Sequence, residues 1–440
     1  MRERDDASGG RLPSIDILRG VAILWVVLFH IWGDIEFFPG APSDYYSHFT
    51  GEVSDGNAWD SFTAFTDLLF RLGFQGVPLF MMISGISLTV AAYRAGDRID
   101  WPRFFLQRFR KLMVPYWAGV ALTYLVIAGI AWRQTQVGDL SFGAAFTGGV
   151  TISRYSVIDV DWGVAFASFA LVPRLTEDQW FFAPQLALWF VGLIAQYYLL
   201  FPLLFFVMKR AGVVAFVVAT FGMTVAANWW IVDRYGAPEF EFALVTGWAP
   251  FRLFEFTAGM GIGWLLAAPS RERERALAMV RHPATILLLL AFGIAAHTTG
   301  DLLIGRWAAR YWQSMALPLS TLGLAMMALP LLVRRPGAFE ASAIMRGMIA
   351  LGVMSYTLLI VSDAMRLVAS QIRVETGEGA VWWTFVVAVY VPLTVLLAWP
   401  MAHLLGLMPR KRPAPFEALP DALPAPAVEH EEALAPAGAR

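Results

Sequence analysis

Cysteine is absent from all 440 residues. Its absence excludes disulfides, thiolate metal sites and an acyl-cysteine intermediate. Charge is scarce as well: Asp, Glu, Lys and Arg make up 15% of the chain, where a soluble domain carries about a quarter. A net charge of −1 gives no basic field for a nucleic-acid partner. There are 6 His, and no set of them has metal-ligand spacing, so no metal is expected. A signal peptide does not fit. The first fourteen residues are polar, and the apolar stretch from Ile15 to Trp32 holds Asp16 and Arg19 with no small-residue cleavage site after it. No internal repeat of the inverted-topology kind is visible.

What is present belongs in lipid. Hydrophobic residues make up 58% of the chain, with 33 Phe and 18 Trp, and mean hydropathy is +0.58. Ten runs have the length of a membrane helix, about 20 residues: 15–33, 69–92, 112–132, 185–208, 211–232, 247–268, 283–299, 311–333, 347–369 and 380–406. The segment 140–172, rich in Gly, Ser and aromatics, reads as part of a long loop with a possible interfacial helix. If both termini are cytoplasmic, most of the 33 basic residues fall on the inner side. They include the cluster Arg94, Arg98, Arg103, Arg108, Arg110 and Lys111, and the groups Arg271–Arg281 and Arg410–Arg412. That bias is the positive-inside pattern. The expected fold is therefore all-α, a polytopic membrane protein of about ten transmembrane helices. A cytoplasmic N-terminal segment (1–14) precedes a membrane domain (15–408) with outer loops 34–68 and 133–184. A disordered cytoplasmic tail (409–440), Pro- and Ala-rich, follows.

Ionisable groups inside spans are costly and mark function. At 100° per residue, Asp16, Arg19, His30 and Asp34 share about a 60° stripe of the first span, and Arg19 and His30 are roughly 16 Å apart along it. A lone intramembrane His is as often a packing residue; alignment with an Arg and two Asp favours a site. Arg252 and Glu255 lie three apart in the sixth span and can pair, for structure or for substrate. Asp363 and Arg366 repeat the spacing near the ninth.

Several motifs resemble the acyltransferase type 3 family of membrane proteins. IDILRGVAILWVVLFH (15–30) is similar to the family's opening motif, with eleven positions from Arg19 to His30. GVPLFMMISGISL (76–88) resembles its second-span motif around Ser84–Gly85. FFLQRFRKLMVPYW (104–117) resembles the basic stretch before the third span, with Arg108 and Lys111 at its basic positions. LWFVGLIAQYYLLFPLL (188–204), RLFEFTAGM (252–260) and LGVMSYTLLIV (351–361) follow in family order. There are departures: Ile194 and Ala195 precede Gln196 where two Glu are common, Lys111 replaces Arg, and Ser362 stands where a His is common.

The resemblance implies an O-acyltransferase that moves an acyl group, acetyl first among candidates, from cytoplasmic acyl-CoA to a hydroxyl of a cell-envelope glycan or lipid-linked acceptor. His30 is the implied general base, since a hydroxyl attacks only once its proton is taken. Asp34 either orients the imidazole or is an interfacial acid. Arg19, Arg108 and Lys111 suit the phosphates of acyl-CoA, although topology alone explains the last two. Ser84 either donates to the thioester oxygen or simply permits helix contact. Arg252, Glu255, Gln196 and Tyr356 are candidates for substrate binding. Loop aromatics Tyr155, Trp162, Trp180, Phe181 and Phe182 suit either a sugar face or the membrane interface. A bacterial inner membrane is the expected location. The rivals are a transporter or flippase, and a family member without catalysis.

Overall fold

The computed structural model describes residues 13–35, 72–96, 99–138, 141–147, 150–153, 156–158, 165–166, 169, 189–235, 248–268, 270–304, 312–333, 342–376 and 380–405. Both expected terminal segments and most of the expected loops 34–68 and 133–184 lie outside them. Every expected span forms helix over its described part. In order, these are α1 (Pro13–Ile35), a 3-10 turn (Leu72–Gln75) running into α2 (Gly76–Ala95), and α3 (Trp101–Val137). After a short α4 (Phe142–Thr147) come α5 (Trp189–Ala211), α6 (Val213–Arg234) and α7 (Ala249–Ala267). Then follow α8 (Arg271–Arg281), α9 (Pro283–Ile304), α10 (Ala316–Val333), α11 (Ala343–Val353) and α12 (Ser355–Thr376). Last come α13 (Ala380–Phe385), a π-helical turn (Val386–Tyr390) and α14 (Val391–Leu404).

The chain is an all-α polytopic membrane protein. Its described β-structure is one hairpin, β1 (Val150–Ser153) with β2 (Ser156–Ile158), antiparallel with Val150 opposite Ile158. The described parts of 140–172 hold that hairpin and α4 and contain no helix long enough to span. Among the described residues, seven helices are long and apolar enough to cross a membrane, and the bent pair α11–α12 makes an eighth. Of the two other expected spans, α7 has its hydropathy lowered by Arg252 and Glu255, and the last runs as helix from Ala380 to Leu404 through the π-turn.

Close packing follows from glycine placement. A Cβ on Gly85 would meet the Phe256 carbonyl, one on Gly259 the Met82 carbonyl, and one on Gly263 the Ile86 carbonyl. Backbones that approach this closely exclude any side chain at the crossing. The pairs Met82–Gly259 and Ile86–Gly263 rise together, so α2 and α7 run parallel, as alternate members of an up-and-down series must. Gly293 against Gly323 and Gly300 against Ala316 make α9 and α10 antiparallel. On α1, Gly20 meets Met348 and Gly352 meets the Asp16 carbonyl. The chain then bends by 75° into α12.

The basic segment before the third span is not a separate connection. It is the first part of α3, whose 37 residues extend about 55 Å at 1.5 Å per residue. That length exceeds a hydrocarbon core of about 30 Å, leaving the Arg103–Lys111 end to project. Asp100 starts the helix by accepting from Arg103 N at 3.1 Å. The basic helix α8 also lies outside the bundle. Its Arg273 donates to the carbonyls of Leu265 and Leu266 at the end of α7, and Arg281 donates to Val333 O at the end of α10. One cationic helix thus satisfies the orphan carbonyls of two spans that end on the same face.

Replacing Gly259 by Leu forces the α2–α7 crossing apart. The expected outcome is a loss of roughly 1–3 kcal/mol or more, read as a lowered melting temperature or loss of the monodisperse peak in detergent, while Gly222→Leu, which faces open space, has little effect.

Candidate functional site

α1 carries three sectors. Ala22, Trp25, Val26 and Phe29 lie against the 3-10 turn and the start of α2, through Gly73 and Gly76. Val27 and Ile31 lie against Met365 and Ala369 of α12 and Val386 and Tyr390 beyond it. At 100° per residue the stripe with Asp16, Arg19 and His30 falls between these two sectors. The polar edge of α1 therefore faces the seam between α2 and α12. Asp34 lies in the last turn of α1, and its side chain lies outside the described residues.

At the lower end of the stripe, Arg19 donates from Nη1 to Asp16 Oδ1 and from Nη2 to Ser87 Oγ, each at 3.2 Å. Asp16 is buried, whereas the Arg19 side chain keeps 30% of its exposure. The cation is thus paired with a carboxylate on its own helix and a hydroxyl on α2, and the side chain as a whole is partly exposed. Ser87 is the contact, one turn beyond Ser84, which is half-buried on the same helix.

The α11–α12 corner ties this end of α1 to the basic part of α3. Gly352 rests on the Asp16 carbonyl. Four residues on, the Tyr356 hydroxyl donates to Leu112 O at 2.9 Å, next to the exposed Lys111. One turn back, the Arg108 guanidinium lies 5.5 Å from the Phe104 ring centre and 5.7 Å from that of Tyr198, within range of cation–π attraction. Arg19 and the Arg108–Lys111 turn therefore flank one corner.

At the upper end, His30 packs beside Phe29, with ring centres 5.7 Å apart. Arg366 is on α12, the helix that packs against α1 at Val27 and Ile31 through Met365 and Ala369. Arg366 and Asp363 are both buried, with Nε 3.6 Å from Oδ1. Ser362, where the family commonly has a His, donates to Leu359 O and its own carbonyl accepts from the Tyr390 hydroxyl. It is a packing residue.

The third polar group is on α7. Arg252 Nε donates to Glu255 Oε1 at 2.8 Å, and Nη2 lies 2.8 Å from the same oxygen. The guanidinium sits over the Trp189 ring at 4.8 Å. Both residues are buried, and Glu255 Oε2 has no hydrogen-bond partner among the described residues. Since α2 and α7 run parallel with Met82 beside Gly259, Arg252 lies at about the height of Gln75, seven residues before the contact on each helix. Gln196 does something different: Oε1 accepts from Ala249 N at 3.1 Å and Nε2 donates to Gly192 O. It caps the start of α7. His297, which has no nameable partner in the sequence, has Nδ1 3.0 Å from the Ser320 hydroxyl across the α9–α10 crossing. Among the described residues no three His, Asp or Glu cluster as a metal group would require. The loop aromatics Tyr155, Trp162, Trp180, Phe181 and Phe182 lie outside the described residues.

The family model described as an acyltransferase domain, acyltransferase type 3, matches residues 12–403. The chain belongs to that family. Neither curated proteins nor solved structures yield a match. Family membership makes this protein a membrane acyltransferase and sets aside a transporter as its class. The matched region contains all the polar groups just described.

Sequence reasoning undervalued Ser87, the Asp363–Arg366 pair and Gln75. Each carried a readable signal, being a polar residue in an apolar run. Ser87 lacked a partner in the sequence because Arg19 reaches it only through the packing of α1 against α2.

Truncating Glu255 to Ala leaves the Arg252 charge buried without its carboxylate. The expected cost is about 3–5 kcal/mol, read by thermal unfolding of the purified protein. The double substitution Arg252→Met with Glu255→Leu, which removes both charges, is expected to recover most of that loss.

Proposed function

We propose that this acyltransferase carries an acetyl group from cytoplasmic acetyl-CoA to a hydroxyl of a cell-envelope glycan or lipid-linked precursor, in a bacterial inner membrane. The observation that carries the reading is the α1 stripe, with a partly reachable Arg19 at one end and His30 roughly 16 Å further along. A donor with phosphates on a long flexible arm needs that separation between its anion site and its reacting thioester.

In this reading Arg19, Arg108 and Lys111 bind the donor phosphates through charge-assisted hydrogen bonds. Ser84, one turn from the Arg19–Ser87 contact, lines the path of the arm. His30 takes the proton of the acceptor hydroxyl as oxygen attacks the thioester carbonyl. Asp34 orients the imidazole from one turn away. The open Oε2 of Glu255 accepts a hydrogen bond from the acceptor, with Arg252 fixing that carboxylate. Gln196 and Tyr356 support substrate binding by holding α7 and the α11–α12 corner in place, since their polar atoms are engaged there.

The test is thiol release from acetyl-CoA by the purified chain in nanodiscs, with water as the acceptor. A protein without cysteine contributes no thiol background. Turnover is expected to fall at least 10²-fold in His30→Ala. Arg19→Ala is expected to raise the KM for acetyl-CoA roughly 10–100-fold, from a charged hydrogen bond worth about 1.5–3 kcal/mol. Acetyl-CoA that neither binds nor turns over would overturn the donor assignment.

A further inference from the structure

Acyl transfer needs a donor group aimed at the carbonyl oxygen as well as a base for the hydroxyl, because negative charge gathers on that oxygen in the tetrahedral intermediate. Gln75 is the last residue of the 3-10 turn before α2 and is fully buried. Among the described residues neither Oε1 nor Nε2 of its amide has a hydrogen-bond partner. Leaving both ends of a buried amide unsatisfied is destabilising, and native chains keep such groups mainly where they serve a purpose. Its position is tightly fixed. Two residues before it, Gly73 lies against the Trp25 carbonyl and the Phe29 Cβ; immediately after it, Gly76 lies against Ala22 O and Val26. Phe74, between them, packs on Phe29 with ring centres 6.2 Å apart, and Phe29 packs on His30. Gln75 is thus clamped to the turn of α1 that precedes His30, on the α2 side of the polar seam.

We infer that Gln75 is the carbonyl-polarising catalytic residue of this acyltransferase, its Nε2–H donating to the thioester oxygen while His30 handles the acceptor proton. This rests on the acyl-CoA reading of the His30 site. The acceptor oxygen forms a bond to the carbonyl carbon, and its proton passes to the imidazole. The carbonyl electron pair moves onto oxygen, where the Gln75 amide holds it. On collapse the C=O bond re-forms and the C–S bond breaks. The thiolate then takes the proton from the imidazolium and leaves as free coenzyme A. Ser84, a candidate for this hydrogen bond from sequence, lies nearer the Arg19 end of α2 and serves the arm instead.

The deciding variant is Gln75→Leu, of similar volume and without the amide, assayed beside wild type and His30→Ala by thiol release from acetyl-CoA in nanodiscs. The expected result is a fall in kcat of roughly 10²–10³-fold, a KM for acetyl-CoA within about threefold of wild type, and a melting temperature equal to or above it. Two results would overturn the inference: Gln75→Leu retaining kcat within a few-fold of wild type while His30→Ala is inactive, or Gln75→Leu melting well below wild type, which makes the amide structural. A wild-type chain that does not release thiol from acetyl-CoA removes the donor reading itself, and this inference with it.

Discussion

Arg19 places a positive charge on a largely apolar helix, and the packing around α1 follows from answering it. Lipid offers no partner for a guanidinium, so Asp16 and Ser87 must supply one. The Ser87 bond draws α2 against one side of the stripe. The Asp16 turn, with Gly352 on its carbonyl, receives the α11–α12 corner on the other. With these contacts made, α11 covers the Asp16 end of α1 and α12 packs on its Val27–Ile31 end.

The same rule accounts for the rest of the polar interior. Arg252 and Glu255 neutralise each other under Trp189, and Asp363 and Arg366 do so beside His30. Thr224, Asn228 and Gln196 spend their polar atoms on the backbone at the start of α7. Among the described residues several buried side-chain atoms lack a hydrogen-bond partner, Asn228 Oδ1, Glu255 Oε2 and Gln313 Oε1 among them, and Gln75 lacks one at both ends of its amide.

Much of the fold was legible in the sequence because hydropathy and charge act over whole segments. All ten apolar runs are helical over their described parts, and the stripe on α1 follows from helical periodicity alone. The failures are local. Nothing in the periodicity of the Arg103–Lys111 stretch separates a basic connection from the first turns of one long α3. A hydropathy window does not anticipate the π-turn before α14. Pairing across helices was the harder part. Arg252 with Glu255 is three residues apart and readable, whereas Arg19 with Ser87, Tyr356 with Leu112 O and Gln196 with Ala249 N span 53 to 244 positions and depend on the crossings. Gln196 shows the consequence most clearly: a polar residue inside a family motif is a helix cap.

The central claim is that α1 aligns an acyl-CoA donor along its polar stripe, phosphates at Arg19 and acyl carbon at His30. The most direct measurement is a cryo-electron microscopy structure of the full chain in nanodiscs with a non-hydrolysable thioether analogue of acetyl-CoA. The account predicts density for the phosphates between Arg19 and the Arg108–Lys111 turn, with the arm in the α2–α12 seam and the acyl oxygen within hydrogen-bond reach of Gln75. An analogue bound elsewhere in the bundle, with the seam beside His30 closed and empty, would contradict it.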